Sequence, residues 1–483
     1  MRALSVVTFG VALLSSVAAA QSPTPEPTAT PVASPAATPE AHASPTPVTH
    51  DSHFGTFQGG KPPDLSPSIG KEALGVPAAR HASGTAWQPD TTPMHGWHHS
   101  LAGWKVMVHG NVFAGYLNQN DPGSRSLHVD DPGSPLDRGA DAFVSMNHVM
   151  AMAQRGLGGG SSFTVRTMLS AEPFTMEAAG YPLTAQSGET FDGEPIHDRQ
   201  HPHDLFMELA AMFDVPLGAG AGLQLYAAPS GEPALGPVAF PHRVSAQSNP
   251  LAPLGHHWED STHVSFGVAT LGLYNRVVKV EGSAFNGREP DEKRLDIEYP
   301  GIDSWSTRVS LMPIPELVLQ ASYGYLRSPE ELHPETSIRR WSTSLLYSRP
   351  LRARGNASMA VIWGQNDAGD EGTTNAITVE SELNADGHNT IFFRGENIRK
   401  LGHDIGLESD LGLDVFNVTS FSLGYLYECG PYFGMLPSLG VMGTAAFLDA
   451  SLEPLYDTAS PRGFMVFLRM RPAAQGSHSM HHH

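Results

Sequence analysis

Apolar and polar residues alternate along most of this chain with a period of two. Between residues 104 and 117, Val106 and Val108 fall on even positions, whereas Lys105 and His109 fall on odd ones. Successive side chains of a β-strand point to opposite faces, so this alternation predicts strands with one apolar and one mostly polar face. The sequence is therefore predicted to fold as an all-β protein.

Segments with this alternation recur to the end of the chain. Their lengths are close to the roughly 9–11 residues that a tilted strand needs to cross a bilayer. They number about sixteen, and an even count is typical of bacterial transmembrane barrels. The predicted strands are 104–117, 142–154, 162–171, 205–214, 221–228, 262–272, 276–286, 304–312, 317–326, 338–348, 356–364, 375–384, 389–397, 419–428, 438–448 and 462–471.

The predicted connections alternate between short and long. Outer-membrane barrels have short periplasmic turns and longer outer loops, whereas a soluble β-sandwich has no reason for this alternation. The parity predicts a periplasmic N-terminus, and a soluble, secreted all-β protein is the alternative. The short turns are 156–161, 216–220, residue 275, 313–316 and 385–388, and the long loops are 118–141, 172–204, 229–261, 287–303 and 398–418.

The two faces of the predicted strands differ in chemistry. A sheet in lipid must close on itself, because lipid offers no hydrogen-bond partners for a free edge. Charged residues on the polar face predict a wet or plugged interior, and aromatic residues near strand ends fit interfacial belts. The predicted inward charges are Arg166, Glu208, Lys279, Glu281, Arg308, Arg340, Arg394 and Glu396, and the aromatic residues are Trp104, Tyr116, Trp305, Tyr325, Trp341, Tyr347 and Tyr427.

The N-terminal region predicts export. Residues 1–20 combine a basic start, an apolar run and small residues at the end, which is the pattern of a secretory signal peptide. Residues 21–49, rich in Pro, Ala and Thr, are predicted to be a disordered linker. Residues 50–103 are predicted to be an irregular, His-rich periplasmic segment or plug, residues 104–471 the barrel, and residues 472–483 a His-containing C-terminal tail.

Composition narrows the classes of function. The formal net charge of −20 argues against nucleic acid as a partner. Cys429 is the only cysteine, so no intrachain disulfide can form. No stretch of about 20 apolar residues follows the signal peptide, so no transmembrane helix is predicted. Contact with the membrane is therefore expected through strands.

The densest group of metal-ligand side chains lies in residues 193–204, GEPIHDRQHPHD. Pro195 and Pro202 remove backbone donors and resist a helix, so this run is predicted to be a stiff loop. A second long loop carries more histidines, and the two loops follow neighbouring strands, so they are positioned to converge. Imidazole and carboxylate ligands favour copper or zinc. The candidate metal ligands are His197, Asp198, His201, His203, Asp204, His242, His256, His257 and His263.

Other interpretations of these residues stay open. Arg199 and Arg243, with the acids and histidines, also fit a structural network that folds the loops into the pore. Met146, Met150 and Met152 resemble a methionine track for copper, although methionines at strand spacing more often serve packing. The Gly-x-Ser-x-Gly elbow of many hydrolases is absent, which weakens the case for nucleophilic catalysis.

Four runs stand out for their specificity: GEPIHDRQHPHDLF at 193–206, GEPALGP at 231–237, FPHR at 240–243 and FNGREPDE at 285–292. They resemble runs in a family of largely uncharacterised Gram-negative outer-membrane β-barrel proteins. The likeness extends from about residue 83 to residue 471. The resemblance implies an outer-membrane location and a barrel. It implies no catalytic residues, because no reaction is established for that family.

The sequence thus predicts an outer-membrane β-barrel of about sixteen antiparallel strands that acts as a porin-like channel for small solutes or ions. The His- and Asp-rich loops are expected to constrict the pore, and no covalent chemistry is expected. A metal-binding protein of copper or zinc handling is the first alternative, and an outer-membrane hydrolase is the second. The expected partners are outer-membrane lipid, the barrel-assembly machinery, and small solutes or metal ions.

Overall fold

The computed structural model describes residues 73–120, 138–299, 301–351, 355–407 and 411–473. The predicted signal peptide, the linker, the first part of the segment 50–103 and the end of the C-terminal tail lie outside these residues. Most of the predicted long loop 118–141 lies outside them as well.

The described residues form twenty strands. In chain order they are β1 (Trp97–Leu101), β2 (Trp104–Gln119), β3 (Ala140–Val144), β4 (Asn147–Gly158), β5 (Ser161–Leu169), β6 (Tyr181–Phe191), β7 (Glu194–Gln200), β8 (Phe206–Gly218), β9 (Ala221–Gly231), β10 (Ser265–Tyr274), β11 (Val278–Phe285), β12 (Ser304–Ile314), β13 (Leu317–Leu326), β14 (Ile338–Pro350), β15 (Asn356–Asp367), β16 (Thr373–Asn384), β17 (Asn389–Leu401), β18 (Val415–Glu428), β19 (Met435–Leu448) and β20 (Arg462–Pro472). Three four-residue helices lie between strands: α1 (Glu172–Thr175), α2 (His256–Glu259) and α3 (Glu453–Tyr456). None of the helices among the described residues is long and apolar enough to cross a membrane.

Sixteen of these strands close into an antiparallel barrel, and all sixteen predicted strands are confirmed. β2 pairs with β4 on one side and with β20 on the other, so the first and last wall strands meet. The remaining wall strands follow one another in sequence order. The predicted strand 142–154 is interrupted, because β3 ends at Val144 and β4 begins at Asn147. β1 pairs with the first residues of β2, and β3 pairs with its last residues. β6 and β7 form a separate hairpin.

The outer face of the wall is apolar along its length. On β14 the outward Trp341 is 49% exposed, whereas its neighbours Arg340 and Ser342 are each 1% exposed. Leu439 and Leu468, paired across β19 and β20, are 56% and 57% exposed. Large apolar side chains at such exposure would be unfavourable in water, and a closed barrel leaves no open edge. The wall therefore faces lipid.

The predicted inward charges are confirmed, since all eight are buried in the barrel interior. They pair along the inner wall: Arg308 lies 3.1 Å from Glu281, and Lys279 lies 2.9 Å from the same carboxylate. Arg166 of β5 and Glu208 of β8 lie 2.6 Å apart. Buried charges are tolerated only when they are paired, so these ion pairs explain how the barrel interior can contain both positive and negative charges.

The predicted alternation of connections is also confirmed. One end of the barrel carries turns of two to six residues, such as 159–160 and 315–316, and the N-terminal segment enters there. The other end carries the long connections, including 170–205, 232–264, 286–303 and 402–414. By the rule that short turns face the periplasm, the long loops belong to the outer side.

Residues 73–96, here called the N-terminal segment, lie against the inner wall. The carbonyl of Thr85 accepts a hydrogen bond of 2.7 Å from Nζ of Lys279, and its hydroxyl accepts one of 2.9 Å from Arg308. The backbone N–H of Ala239 donates to Ser83 Oγ at 3.1 Å. The segment is therefore fixed both to the wall and to a long loop.

The prediction of a loop for the whole run 193–204 is wrong for its first half. Residues 194–200 form β7, which pairs with β6 around a tight turn at Asp192 and Gly193. These two residues have φ values of 53° and 80°, the successive positive values that a type I′ hairpin turn requires. Pro195 is tolerated because this two-stranded sheet has free edges.

Candidate functional site in the barrel interior

Residues 232–264, here called the inward loop, leave β9, cross the barrel interior and return to β10. Its first stretch is fixed to the inner wall through backbone donors. The N–H of Ala234 donates to Ser283 Oγ at 2.7 Å, and the N–H of Gly236 donates to Ser322 Oγ at 2.9 Å. Small hydroxyl residues on the inner faces of β11 and β13 therefore leave room for the backbone and satisfy it.

The middle of the inward loop is held by Arg243, which is 1% exposed. Its Nε lies 2.7 Å from Glu380 of β16, and its Nη1 donates to Asp260 at 2.9 Å. Glu380 also accepts a hydrogen bond of 2.9 Å from Arg394 of β17. β16 lies six strands round the wall from β10, so this contact ties the loop to a distant part of the barrel.

The last part of the inward loop contains α2 and contacts the same region of the wall. The N–H of Gly255 donates to Glu396 Oε1 at 3.1 Å. The indole of Trp258 donates to Thr374 Oγ1 at 2.8 Å. The loop thus spans the interior with both of its halves hydrogen-bonded to wall strands.

Five of the predicted metal ligands form one group of imidazole rings, here called the histidine cluster. The ring of His263 lies 5.3 Å from that of His203 and 5.1 Å from that of His256. His257 follows at 5.4 Å from His256, and His201 lies 6.4 Å from His257. The histidines come from the two long loops that were predicted to converge from the sequence, and the structure brings these residues together inside the barrel.

The pKa values of two members of this cluster are shifted in opposite directions. Burial lowers the pKa of His263 to about 3, and the neighbouring His256 and His203 add to the effect. Burial would also lower the pKa of His203, but the carboxylate of Glu172, 2.9 Å from Nδ1, raises that pKa above its ordinary value. The cluster therefore combines an imidazole that Glu172 biases toward its protonated form with a neutral ring whose nitrogen can act as a ligand.

Three other predicted ligands are engaged in structural contacts. The carboxylate of Asp198 accepts hydrogen bonds from Arg138 at 2.7 Å and from the hydroxyl of Tyr456 at 2.8 Å. The ring of His197, the residue before it, packs against Gly406. Asp204 lies 3.7 Å from Arg294, and burial raises the pKa of Asp204 to about 6. Ligation by His197, Asp198 and Asp204 stays a prediction.

His242, the ninth predicted ligand, makes its ring contacts with two wall histidines that are not among the predicted ligands. Its ring is 5.4 Å from His109 of β2 and 5.4 Å from His148 of β4. Both occupy inward positions of the period-two pattern. That parity was available in the sequence, but the approach of the inward loop to this part of the wall was not.

A further group of possible metal ligands at the outer end of the barrel was not predicted from the sequence. Glu330, His333 and His403 place three ligand atoms within 4.8 Å of one another, and they line an open pocket that His257 also lines. Burial, with Asp404 and Glu289, raises the pKa of Glu330 to about 8. Within the described part of the chain, Asp291, Asp296 and Glu298 form the other such group. Glu330 and His403 stand on loops between different strand pairs, so no local pattern joins them.

The closed sixteen-strand wall, its apolar exterior and its inward loops define the class: this is an outer-membrane β-barrel with porin-like architecture. No protein-family model matches the sequence, and no curated protein matches it either.

Several solved barrels are similar in structure. The structural alignment with the anion-selective porin from Comamonas acidovorans covers 76% of this chain and 99% of the porin, with 10% sequence identity and a TM-score of 0.45. The alignment with OmpF of Salmonella typhi, in complex with daunomycin, covers 78% of this chain and 100% of OmpF, with 9% sequence identity and a TM-score of 0.47. The alignment with OprB of Pseudomonas putida covers 77% of this chain and 94% of OprB, with 10% sequence identity and a TM-score of 0.45. At such similarity, function must be argued from the residues of this chain.

Proposed function

We propose that this protein is an outer-membrane channel for small solutes or ions whose passage is narrowed by the inward loop. The observation that carries the proposal is the anchoring of this loop across the interior, by Arg243 to Glu380 and by Trp258 to Thr374. A loop held inside a barrel by buried hydrogen bonds and ion pairs sets the width and the local charge of the passage. The N-terminal segment and the hairpin β6–β7 narrow it further.

The chemistry of the inner wall supports a polar cargo. Arg308 and Glu281 lie side by side on one part of the wall, and Arg394 and Glu380 on another. Neighbouring charges of opposite sign favour hydrated, polar solutes and give neither sign a uniform advantage.

Planar-bilayer recording of the refolded mature protein tests the proposal. We expect discrete conductance steps, smaller than those of an open sixteen-strand porin, because three chain segments occupy the interior. Liposome swelling with sugars of increasing size measures the cutoff. Correctly folded protein that gives neither conductance nor swelling would remove the channel proposal.

Metal handling is a second candidate function, and the arrangement of donors at the outer end favours it. Glu330, His333 and His403 already bring three ligand atoms together, and His257 connects their cavity to the histidine cluster. Imidazole with carboxylate is a ligand set for Zn(II) or Cu(II). Under this proposal a divalent ion would bind at the outer end and meet further imidazoles deeper in the barrel.

Equilibrium dialysis against Zn(II) and Cu(II) tests this second candidate. The double variant His257→Gln and His263→Gln removes two rings of the histidine cluster, and we expect it to lose at least half of the bound metal. The matched control is His99→Gln with His388→Gln, two exposed histidines in β1 and the turn before β17. Equal metal content in all three proteins would exclude the histidine cluster as a metal site.

A further inference from the structure

Three neighbouring wall strands carry one row of donor side chains. His109 of β2 pairs directly with Met150 of β4, and Met150 pairs directly with Met168 of β5. Directly paired residues point to the same face of a sheet, with Cβ atoms roughly 4.5–5.5 Å apart. Met150 and Met168 are 0% and 4% exposed, so the row faces the barrel interior. The wall thus presents an imidazole followed by two thioethers.

The inward loop adds a second imidazole to this row. Nε2 of His242 lies 3.0 Å from Sδ of Met168, and Nε2 of His109 lies 3.1 Å from Sδ of Met150. The ring of His148 lies 5.4 Å from that of His242 and supplies a third imidazole at the edge of the group. Five donor side chains therefore meet where the inward loop approaches the wall.

The position of His242 is fixed by its neighbours in the loop. Arg243, the next residue, is held by Glu380, and the N–H of Phe240 donates to Asp260 at 2.9 Å. The N–H of His242 itself donates to the carbonyl of Ala239 at 2.9 Å. The imidazole is therefore presented to Met168 by a rigid turn.

The chemistry of these donors is soft and neutral. Neutral imidazole is a borderline metal ligand and thioether a soft one, and neither carries a charge. Thioether sulfur selects Cu(I), whereas zinc sites use thiolate, imidazole and carboxylate. Two donors bound to one tetrahedral metal at about 2.0–2.3 Å lie roughly 3.5 Å apart, which is close to the imidazole–thioether spacing here.

We propose that His109, His148, His242, Met150 and Met168 form a binding site for Cu(I). Small shifts of the flexible methionines are enough to open the group around an ion. The site goes beyond the channel function and does not rest on it. It is also separate from the divalent candidate at the outer end, which uses carboxylate and no sulfur.

A pocket beside this group is lined by further imidazole and thioether side chains. Its lining includes Met94 and His95 of the N-terminal segment and Met107 and Met152 of the wall. Nδ1 of His95 is buried and, within the described part of the chain, has no hydrogen-bond partner. Further donors of the same kinds thus lie between the site and the N-terminal segment.

Anaerobic titration of the refolded mature protein with Cu(I), in competition with a chromogenic Cu(I) chelator, tests the proposal. We expect a tight site that the double variant Met150→Leu and Met168→Leu weakens at least tenfold. Leucine is apolar and close to methionine in volume, so the fold is kept. X-ray absorption of the copper-loaded wild type is expected to show sulfur and nitrogen ligands.

A matched control is available on β19 and β20. Met442 and Met465 are also a directly paired, buried methionine pair, but they pack in an apolar cluster with Phe392 and Phe467. Met442→Leu with Met465→Leu is expected to keep wild-type affinity for Cu(I). Unchanged affinity in the Met150/Met168 variant, or no Cu(I) binding by the wild type, would overturn the proposal. Conductance of the same preparations reports on the channel function separately.

Discussion

Arg243 of the inward loop and Glu380 of β16 form a two-point ion pair, with Nε–Oε2 at 2.7 Å and Nη2–Oε1 at 3.1 Å. The residues are 137 positions apart, and their side chains are 0% and 1% exposed. Glu380 is shared with Arg394, and Arg243 is shared with Asp260. This network fixes where the loop crosses the barrel.

Replacing Arg243 with Met is expected to loosen the inward loop and raise the conductance. The change leaves Glu380 and Asp260 with fewer partners in a dry environment, and breaking one side of a buried pair costs about 3–5 kcal/mol. Planar-bilayer recording measures the result as larger and noisier steps. Arg339→Met is the control, because Arg339 is 55% exposed and lies 3.7 Å from Asp367. Conductance equal to wild type would show that this anchor does not set the passage.

The contact between His203 and Glu172 predicts a pH dependence for the loop 170–205. The folded pKa of His203 is raised, so the stabilisation is complete below the unfolded pKa of about 6.5 and is lost as pH rises through the folded pKa. A hydrogen bond between charged groups contributes about 1.5–3 kcal/mol. Amide-exchange protection in residues 170–205, taken relative to the intrinsic base-catalysed rate at each pH, is therefore expected to fall above neutral pH. In His203→Gln this protection should be low at every pH; a variant that keeps the wild-type pH profile of protection would contradict the assignment.

The outer group predicts divalent binding that depends on its two imidazoles. His333→Gln with His403→Gln is expected to lower Zn(II) affinity at least tenfold, measured by calorimetry. Affinity in the wild type should rise with pH toward 8, because burial keeps Glu330 protonated below its pKa of about 8 and the proton competes with the metal. A flat pH profile, or an unaffected double variant, would exclude this group.

The outward face of β20 predicts sensitivity to charge. Leu468→Arg places a guanidinium near the middle of the wall, which costs about 2–4 kcal/mol in a bilayer. Folding into lipid vesicles, followed by heat-modifiable migration on gels, is expected to show a lower folded fraction. Leu413→Arg is the control, because Leu413 is 60% exposed but lies in the loop between β17 and β18. Equal folding of both variants would contradict a lipid-facing position for Leu468.

The barrel itself was predictable because its information is local. The alternation around Val106 and His109 assigns each side chain to lipid or to the interior without reference to any other strand. Antiparallel neighbours joined by short turns then leave little choice of partner. The same parity identified the inward charges, including Arg308 and Glu281, before any contact was known.

The interior was not predictable in this way, because it is built by long-range contacts of irregular segments. The sequence singled out His203, His256 and His263, and it expected their loops to meet. It did not indicate that His242 would contact His109 and Met168, or that Glu330 would face His403. Loops carry no repeating period, and their paths depend on pairs such as Arg243 and Glu380 that form only once the wall is closed. The sequence alone therefore determined a membrane barrel and its inner and outer faces, whereas only the tertiary structure decided which donors share a site.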